Sequence, residues 1–163
     1  MHAPETRCTF PIVTDVGVFA AILDNAGELL LCHRRDIDLW EMPGGRVERG
    51  ESPRDAIKHE VSEETSLQVE VTRLAGGYWR PARDLLVLQF ECRGDGLPAP
   101  SPEAREVRYF SMDALPEPIN PAVVERIGDV RSAESGVRMR TQQAPSGREW
   151  AAAWKHAQAS PIS

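Results

Sequence analysis

Glu60, Glu63 and Glu64 stand close together in residues 45–67, GRVERGESPRDAIKHEVSEETSL, and could offer carboxylate oxygens to a hard divalent cation. On a helix, at about 100° per residue, the three fall within an arc of roughly 100°. Ile57 and Val61 take the adjoining side and face a core. A solvated helix face usually pairs opposite charges four residues apart. Here Glu60 is followed at that spacing by Glu64, a repulsive arrangement, and only His59 could pair with Glu63. No Lys or Arg offsets the triplet, so a bound Mg²⁺ would turn local repulsion into attraction.

The elements that must position these carboxylates can be read from their ends. Ser52 is a good N-cap, Pro53 suits the first helical position, and Asp55 completes a capping-box-like pattern, so a helix is predicted from Pro53. Residues 13–23 and 28–35 read as strands joined by a turn at 24–27, a hairpin leading into Pro43-Gly44-Gly45. Residues 67–74 alternate moderately until Gly76-Gly77 breaks the run, and 85–92 is the clearest apolar strand. Residues 94–102 form a Gly- and Pro-rich loop before a strand at 107–110, and Asn120-Pro121 opens a second helix to about residue 130. Strands mixed with two helices imply an α/β sandwich.

The segment resembles the box of the Nudix hydrolases. That box runs Gly, five residues, Glu, seven residues, Arg-Glu, an aliphatic, one residue, Glu-Glu, one residue, Gly and an aliphatic. The chain matches it at Gly45, Glu51, Glu60, Val61, Glu63, Glu64 and Leu67. Trp40 and Pro43-Gly44-Gly45 before the box, and Arg108-Tyr109-Phe110 with Asp113, Leu115 and Pro116 after it, extend the resemblance over residues 14–130. Two positions depart: His59 stands where the family has Arg, and Ser66 where it has a helix-ending Gly. Only Gly enters the left-handed cap without strain, so the helix is expected to end differently here.

The resemblance implies the Nudix α/β/α sandwich, a mixed sheet between helices, and Mg²⁺-dependent hydrolysis (Mn²⁺ as a substitute) of a phosphoanhydride in a small nucleoside diphosphate derivative. It implies Glu60 and Glu64 as principal metal ligands with the Gly44 carbonyl, while Glu63 joins the cluster or works through a bound water. Glycine at 44 and 45 lets the backbone approach ion and substrate closely. Glu51 becomes a structural partner, here of His59. Glu63 and Glu103 are the catalytic candidates, with Glu106 the alternative to Glu103 as general base. Arg34, Arg35 and Arg80, with Arg83 as an alternative, could meet substrate phosphates, and Trp40 or Tyr78 could stack on a base. The competing class is a nucleotide-sensing domain without catalysis. Retention of all three acidic ligands speaks against it.

At 163 residues, 41% hydrophobic and 27% charged, the chain suits one globular core rather than disorder. A formal net charge of −6 argues against a general nucleic-acid binder, which needs basic surplus over a phosphate backbone. Cys8, Cys32 and Cys92 lack metal-ligand spacing and read as free thiols. No apolar run reaches the about 18 residues of a membrane span and no leader pattern is visible, so the expected location is cytoplasmic. Residues 1–130 form the expected domain and 131–163 an extension: a polar linker or loose arm through Pro145, then a short helix bearing Trp150 and Trp154. Those tryptophans could pack on the domain, contact a second copy in a homodimer, or stack on a nucleobase.

Overall fold

In the computed structural model, which describes residues 14–132 and 136–159, the acidic run folds as helix α1 (Pro53–Thr65). Ser52 caps it: the hydroxyl accepts from the Asp55 N–H at 3.2 Å and donates to Asp55 Oδ2 at 2.6 Å. The expectation that the helix closes differently without glycine is corrected. Ser66 itself takes the left-handed conformation, φ 63°, and its N–H donates to the Ser62 carbonyl. Thr65 holds the same turn, donating to Val61 O at 2.6 Å and accepting from the Leu67 N–H at 3.2 Å. These bonds keep the turn in place against the Cβ crowding that any L side chain meets at positive φ.

In chain order the strands are β1 (Asp15–Ile22), β2 (Leu29–Arg34), β3 (Trp40–Glu41), β4 (Gly44–Arg46), β5 (Gln68–Arg80), β6 (Leu85–Asp95), β7 (Ala104–Phe110) and β8 (Arg138–Thr141). Helix α2 (Pro121–Arg131) follows β7, and α3 (Gly147–Ala159) follows β8. The expected hairpin of β1 and β2 is reduced to its turn, closed by the Asp24 N–H to Glu28 O bond at 3.0 Å and a single antiparallel bridge from Leu23 to Leu29, and the strands pair no further. β1 enters a mixed sheet of order β4-β1-β6-β5-β8, parallel to β6, whereas β2 pairs between β3 and β7 in a second, antiparallel sheet. Both strands are buried over most of their length, so each takes partners on both edges rather than pairing with the other.

Alternation along β1 builds two cores. Val18, Ala20 and Ile22, with Leu30 of β2, pack against Ala56, Ile57 and Val61 of α1. Ala21, with Leu29 and Leu31 of β2, turns toward Val123, Ile127 and Val130 of α2. Helices therefore cover opposite faces, the α/β/α arrangement that the resemblance implies. Ile57 and Val61 are fully buried, each contributing about 1.5–3 kcal/mol of hydrophobic stabilisation, and they fix which face of α1 is left for the glutamates.

Two further expectations are corrected. Gly76-Gly77 does not end β5, because β6 on one edge and β8 on the other supply ladder bonds through the glycines, and register shifts near Val71 and Leu74 absorb the irregularity. The segment read as a loose arm contains β8, an edge strand parallel to β5. Its side chains are mostly exposed, so burial alternation could not reveal it. Polar bonds anchor it instead: Arg140 donates to both Asp129 carboxylate oxygens, at 2.7 and 2.6 Å, and Tyr78 donates to Asp129 at 3.0 Å. The expected capping box of α3 is present, with Ser146 N–H to Glu149 Oε2 at 2.7 Å and Glu149 N–H to Ser146 Oγ at 3.2 Å. Among the described residues no helix is long and apolar enough to cross a membrane. Cys32 and Cys92 are buried free thiols, and Cys8 lies outside the described residues.

The left-handed Ser66 yields a direct test. Ser66→Gly should raise unfolding free energy by about 1 kcal/mol, read from the shift of a urea denaturation midpoint at unchanged slope. A lower midpoint would show that the cap is not strained.

Candidate active site

Helix α1 presents Glu60 and Glu64 to a cleft of about 810 Å³. Gly44 and Gly45 form one edge, Arg34 and Glu41 another, and Glu103 and Arg126 approach from their own elements. Both glycines lie at close approaches, to backbone at Gly44 and to the Glu60 side chain at Gly45. A Cβ at Gly45 would overlap the Glu60 carboxylate, and one at Gly44 would overlap the Val18 carbonyl oxygen of β1. The Gly44 N–H donates to Glu64 Oε2 at 2.9 Å, which fixes one carboxylate oxygen and leaves the other for the cleft.

Both carboxyl groups are held well above their ordinary range. Burial pushes Glu64 to about 8; the Gly44 N–H offsets part of that rise, while the charges of Glu60, Glu41 and Glu103 add to it. Glu60 is pushed to about 7, by burial first and then by Glu63, Glu103, Glu51 and Glu48. Near neutrality the cleft therefore resists ionisation of both groups unless positive charge arrives.

Glu63 is an outlier. It is exposed and is not among the cleft-lining residues, because it sits about 100° round the helix from Glu64. Among the described residues no three His, Cys, Asp or Glu side chains already form one metal-holding cluster, so the sequence triplet is a pair in the cleft with a third acid at its rim. His59 Nδ1 lies 2.8 Å from Glu51 Oε1, and the Glu48 N–H donates to the other Glu51 oxygen at 3.3 Å. The bond to Glu51 raises the His59 pKa and favours its charged form.

The remaining candidates separate clearly. Glu103 lines the cleft on a loop held by Arg35, whose N–H donates to Glu103 O at 2.8 Å and whose guanidinium reaches Ser101 O at 3.3 Å. Glu106 lies outside the cleft lining and pairs with Arg108 at 3.3 Å. Arg34 lines the cleft, bonded through Nε and Nη2 to Asp36 at 2.9 Å each and through Nη1 to Glu41 at 3.2 Å. Arg83 lines the cleft, and so does Arg80, whose Nη2 is engaged by the carbonyls of Ala144 and Pro145 at 2.7 and 2.8 Å. Tyr78 is fully buried and cannot stack on a base. Trp40 is a packing residue, stacked on His33 with centroids 4.7 Å apart and set edge-on to Phe110. Neither Trp150 nor Trp154 lines the cleft, so base stacking by that pair is also set aside.

Several cleft residues escaped the sequence reading, among them Glu41, Arg126, Asp36 and Arg148. Arg126 is only 2% exposed; its Nη2 lies 3.6 Å from Glu41 Oε1, its guanidinium covers the Phe19 ring at 4.4 Å, and its Nη1 has no partner. The available signal was an Arg inside the apolar stripe Ala122, Val123, Ile127 and Val130 of α2, and an acid between Trp40 and Met42.

The NUDIX domain profile matches residues 13–127. A MutT-like protein of Streptomyces ambofaciens is 34% identical over 118 residues, 72% of this chain and 76% of the relative. An ADP-ribose pyrophosphatase of Methanocaldococcus jannaschii is 31% identical over 105 residues, 59% of this chain and 62% of the relative. The crystal structure of an ADP-ribose pyrophosphatase from Streptococcus suis superposes with a TM-score of 0.65 at 25% identity, covering 80% of this chain and 100% of that one. The matched segment contains the glycine turn, the acidic helix and nearly all of both cores, and the chain belongs to the Nudix hydrolase family.

Proposed function

We propose that this enzyme hydrolyses the phosphoanhydride of a nucleoside diphosphate linked to another moiety, with Mg²⁺ as cofactor and Mn²⁺ able to replace it. One observation carries the reading: Glu60 and Glu64 share a cleft in which neither ionises easily, and arginines line the same cleft. The donor set suits a hard cation, all oxygen and no thiolate or imidazole. A carboxylate pair is sufficient where Mg²⁺ keeps several waters and takes further oxygens from substrate phosphates. Glu60, Glu64 and the Gly44 carbonyl would hold the ion, which supplies charge neutralisation at the phosphoryl oxygens and acidifies water.

The protein's own residues then divide the work. Arg34 and Arg35 orient the diphosphate, and Gly45 lets it approach the backbone. Glu103 takes the proton of the attacking water from its loop opposite α1. Glu63 acts from the rim through bound water, and the Glu51–His59 pair steadies the helix face that carries Glu60. Water adds to one phosphorus, the bridging P–O bond breaks, and each product leaves with a phosphate. ADP-ribose-like compounds enter the substrate panel because two of the relatives above carry that activity in their names.

The test is product analysis with Mg²⁺ or Mn²⁺ and a panel of ADP-ribose-like compounds, nucleoside triphosphates and dinucleotide polyphosphates. Turnover on at least one class is expected, and Glu64→Gln should lower kcat by at least about 100-fold. Nucleotide binding without turnover across the panel would replace this reading with a nucleotide-sensing domain. His59 gives a second expectation. Its charge is lost as pH rises through its elevated pKa, whereas Arg stays charged. His59→Arg should therefore raise kcat/KM several-fold above pH 8 and change it little at pH 6.5; no alkaline gain would remove His59 from the account.

A further inference from the structure

The family match ends at residue 127, yet the chain continues into the cleft. After β8 the backbone is tied down at successive points. The Gln142 N–H donates to Trp79 O at 2.8 Å, Asn120 Nδ2 to Pro145 O at 3.0 Å, and Arg80 to the carbonyls of Ala144 and Pro145. Ser146, Gly147 and Arg148 then join the cleft lining, with Gly147 against Leu39, where a Cβ would stand 3.0 Å from Cδ2. Arg148 Nη2 bonds Asp36 Oδ2 at 2.8 Å, the same carboxylate that holds Arg34.

A row of alternating charges results: Arg148, Asp36, Arg34, Glu41 and Arg126, each in contact with the next and all lining the cleft. Three guanidinium groups face two carboxylates, which leaves one positive charge in excess. Arg126 also keeps its buried Nη1 unpartnered. Because Asp36 is shared, an anion can take over Arg148 while Asp36 stays paired with Arg34, so no carboxylate is stranded. This row faces the same cleft as the acidic pair on α1 and has the opposite charge.

We infer that the segment 144–148 is a specificity element that recognises a second anionic group of the substrate, beyond the scissile diphosphate, through Arg148 acting beside Arg34. The inference rests on the proposed function for the identity of that diphosphate, but its contacts belong to an extension that the family profile does not cover. The substrate class it selects is a nucleotide bearing an additional phosphate. Arg148 is exposed enough for replacement without disturbing a core.

The experiment measures Kd with Mg²⁺ for two non-hydrolysable probes that differ by one terminal phosphate, α,β-methylene adenosine diphosphate and α,β:β,γ-bismethylene adenosine triphosphate, on wild type, Arg148→Ala and Arg148→Lys. Loss of one charged hydrogen bond should weaken the triphosphate probe about tenfold in Arg148→Ala and leave the diphosphate probe within about twofold, with Arg148→Lys recovering part of the loss. Asp36→Asn, which adds positive charge to the row, should tighten the triphosphate probe. Equal weakening of both probes, no weakening of either, or looser triphosphate binding in Asp36→Asn would overturn the inference and reduce the Arg148–Asp36 pair to a structural latch. Binding is read independently of turnover, so an inactive wild type that still shows the Arg148 discrimination would sink the hydrolysis reading alone.

Discussion

The burial of two neighbouring carboxyl groups, Glu60 and Glu64, in one cleft is the constraint around which this protein is organised. The two carboxylates lie on one face of α1, in a cleft whose burial disfavours charge, and further acids surround them. Nothing in the helix relieves this, because its buried face is committed to Ile57 and Val61 and its last turn has no basic residue. The surrounding structure holds the pair in place despite the cost. Gly44 gives Glu64 a backbone donor, Gly45 leaves room for the Glu60 carboxylate, and the Ser52 and Thr65 bonds secure the two ends of the helix.

Charge in the cleft is then distributed over several elements. Glu60 and Glu64 come from α1, and guanidinium groups come from β2, from the end of β5, from α2 and from the start of α3, with Asp36 and Glu41 interleaved among them. Arg126 shows how far this extends. A buried cation on an apolar helix stripe is stable only with a partner, and Glu41, reached from a two-residue strand, supplies it. The far end of the chain is drawn into the same scheme. β8 completes the sheet edge, and the bonds from Arg80 and Asn120 bring residues 144–148 to the cleft, so the extension is structurally part of the site.

What could be read from sequence followed from signals local in the chain. Ser52-Pro53 and Asn120-Pro121 mark helix starts because capping is decided within a few residues, and the glycine-to-glutamate spacing marks the box because it is confined to one turn and one helix. What could not be read depends on partners distant in sequence. β1 and β2 look like a hairpin until β6 and β7 claim their edges. Gly76-Gly77 looks like a break until strands on both sides span it, and β8 carries no burial alternation because its anchors are Asp129 and the β5 edge. Glu63 appeared equivalent to its neighbours because periodicity gives the arc but not which part of the arc meets the cleft. Ser66 adopts the conformation reserved for glycine because the surrounding hydrogen bonds outweigh its local preference.

The central claim, that the acidic pair is a stability defect resolved by a divalent cation, is tested most directly by thermal unfolding of wild type and Glu64→Gln with EDTA and with excess Mn²⁺, at pH 5.5 and 8.5. A carboxyl whose folded pKa is raised is protonated in the native state after the unfolded chain has already ionised, so its stability contribution falls as pH rises from about 4.5 toward 8. The account predicts that without metal Glu64→Gln unfolds at a higher temperature than wild type at pH 8.5, with the gap closing at pH 5.5. It also predicts that Mn²⁺ raises the Tm of wild type far more than that of the variant. A metal-free variant less stable than wild type at pH 8.5, or equal stabilisation of both by Mn²⁺, would contradict it.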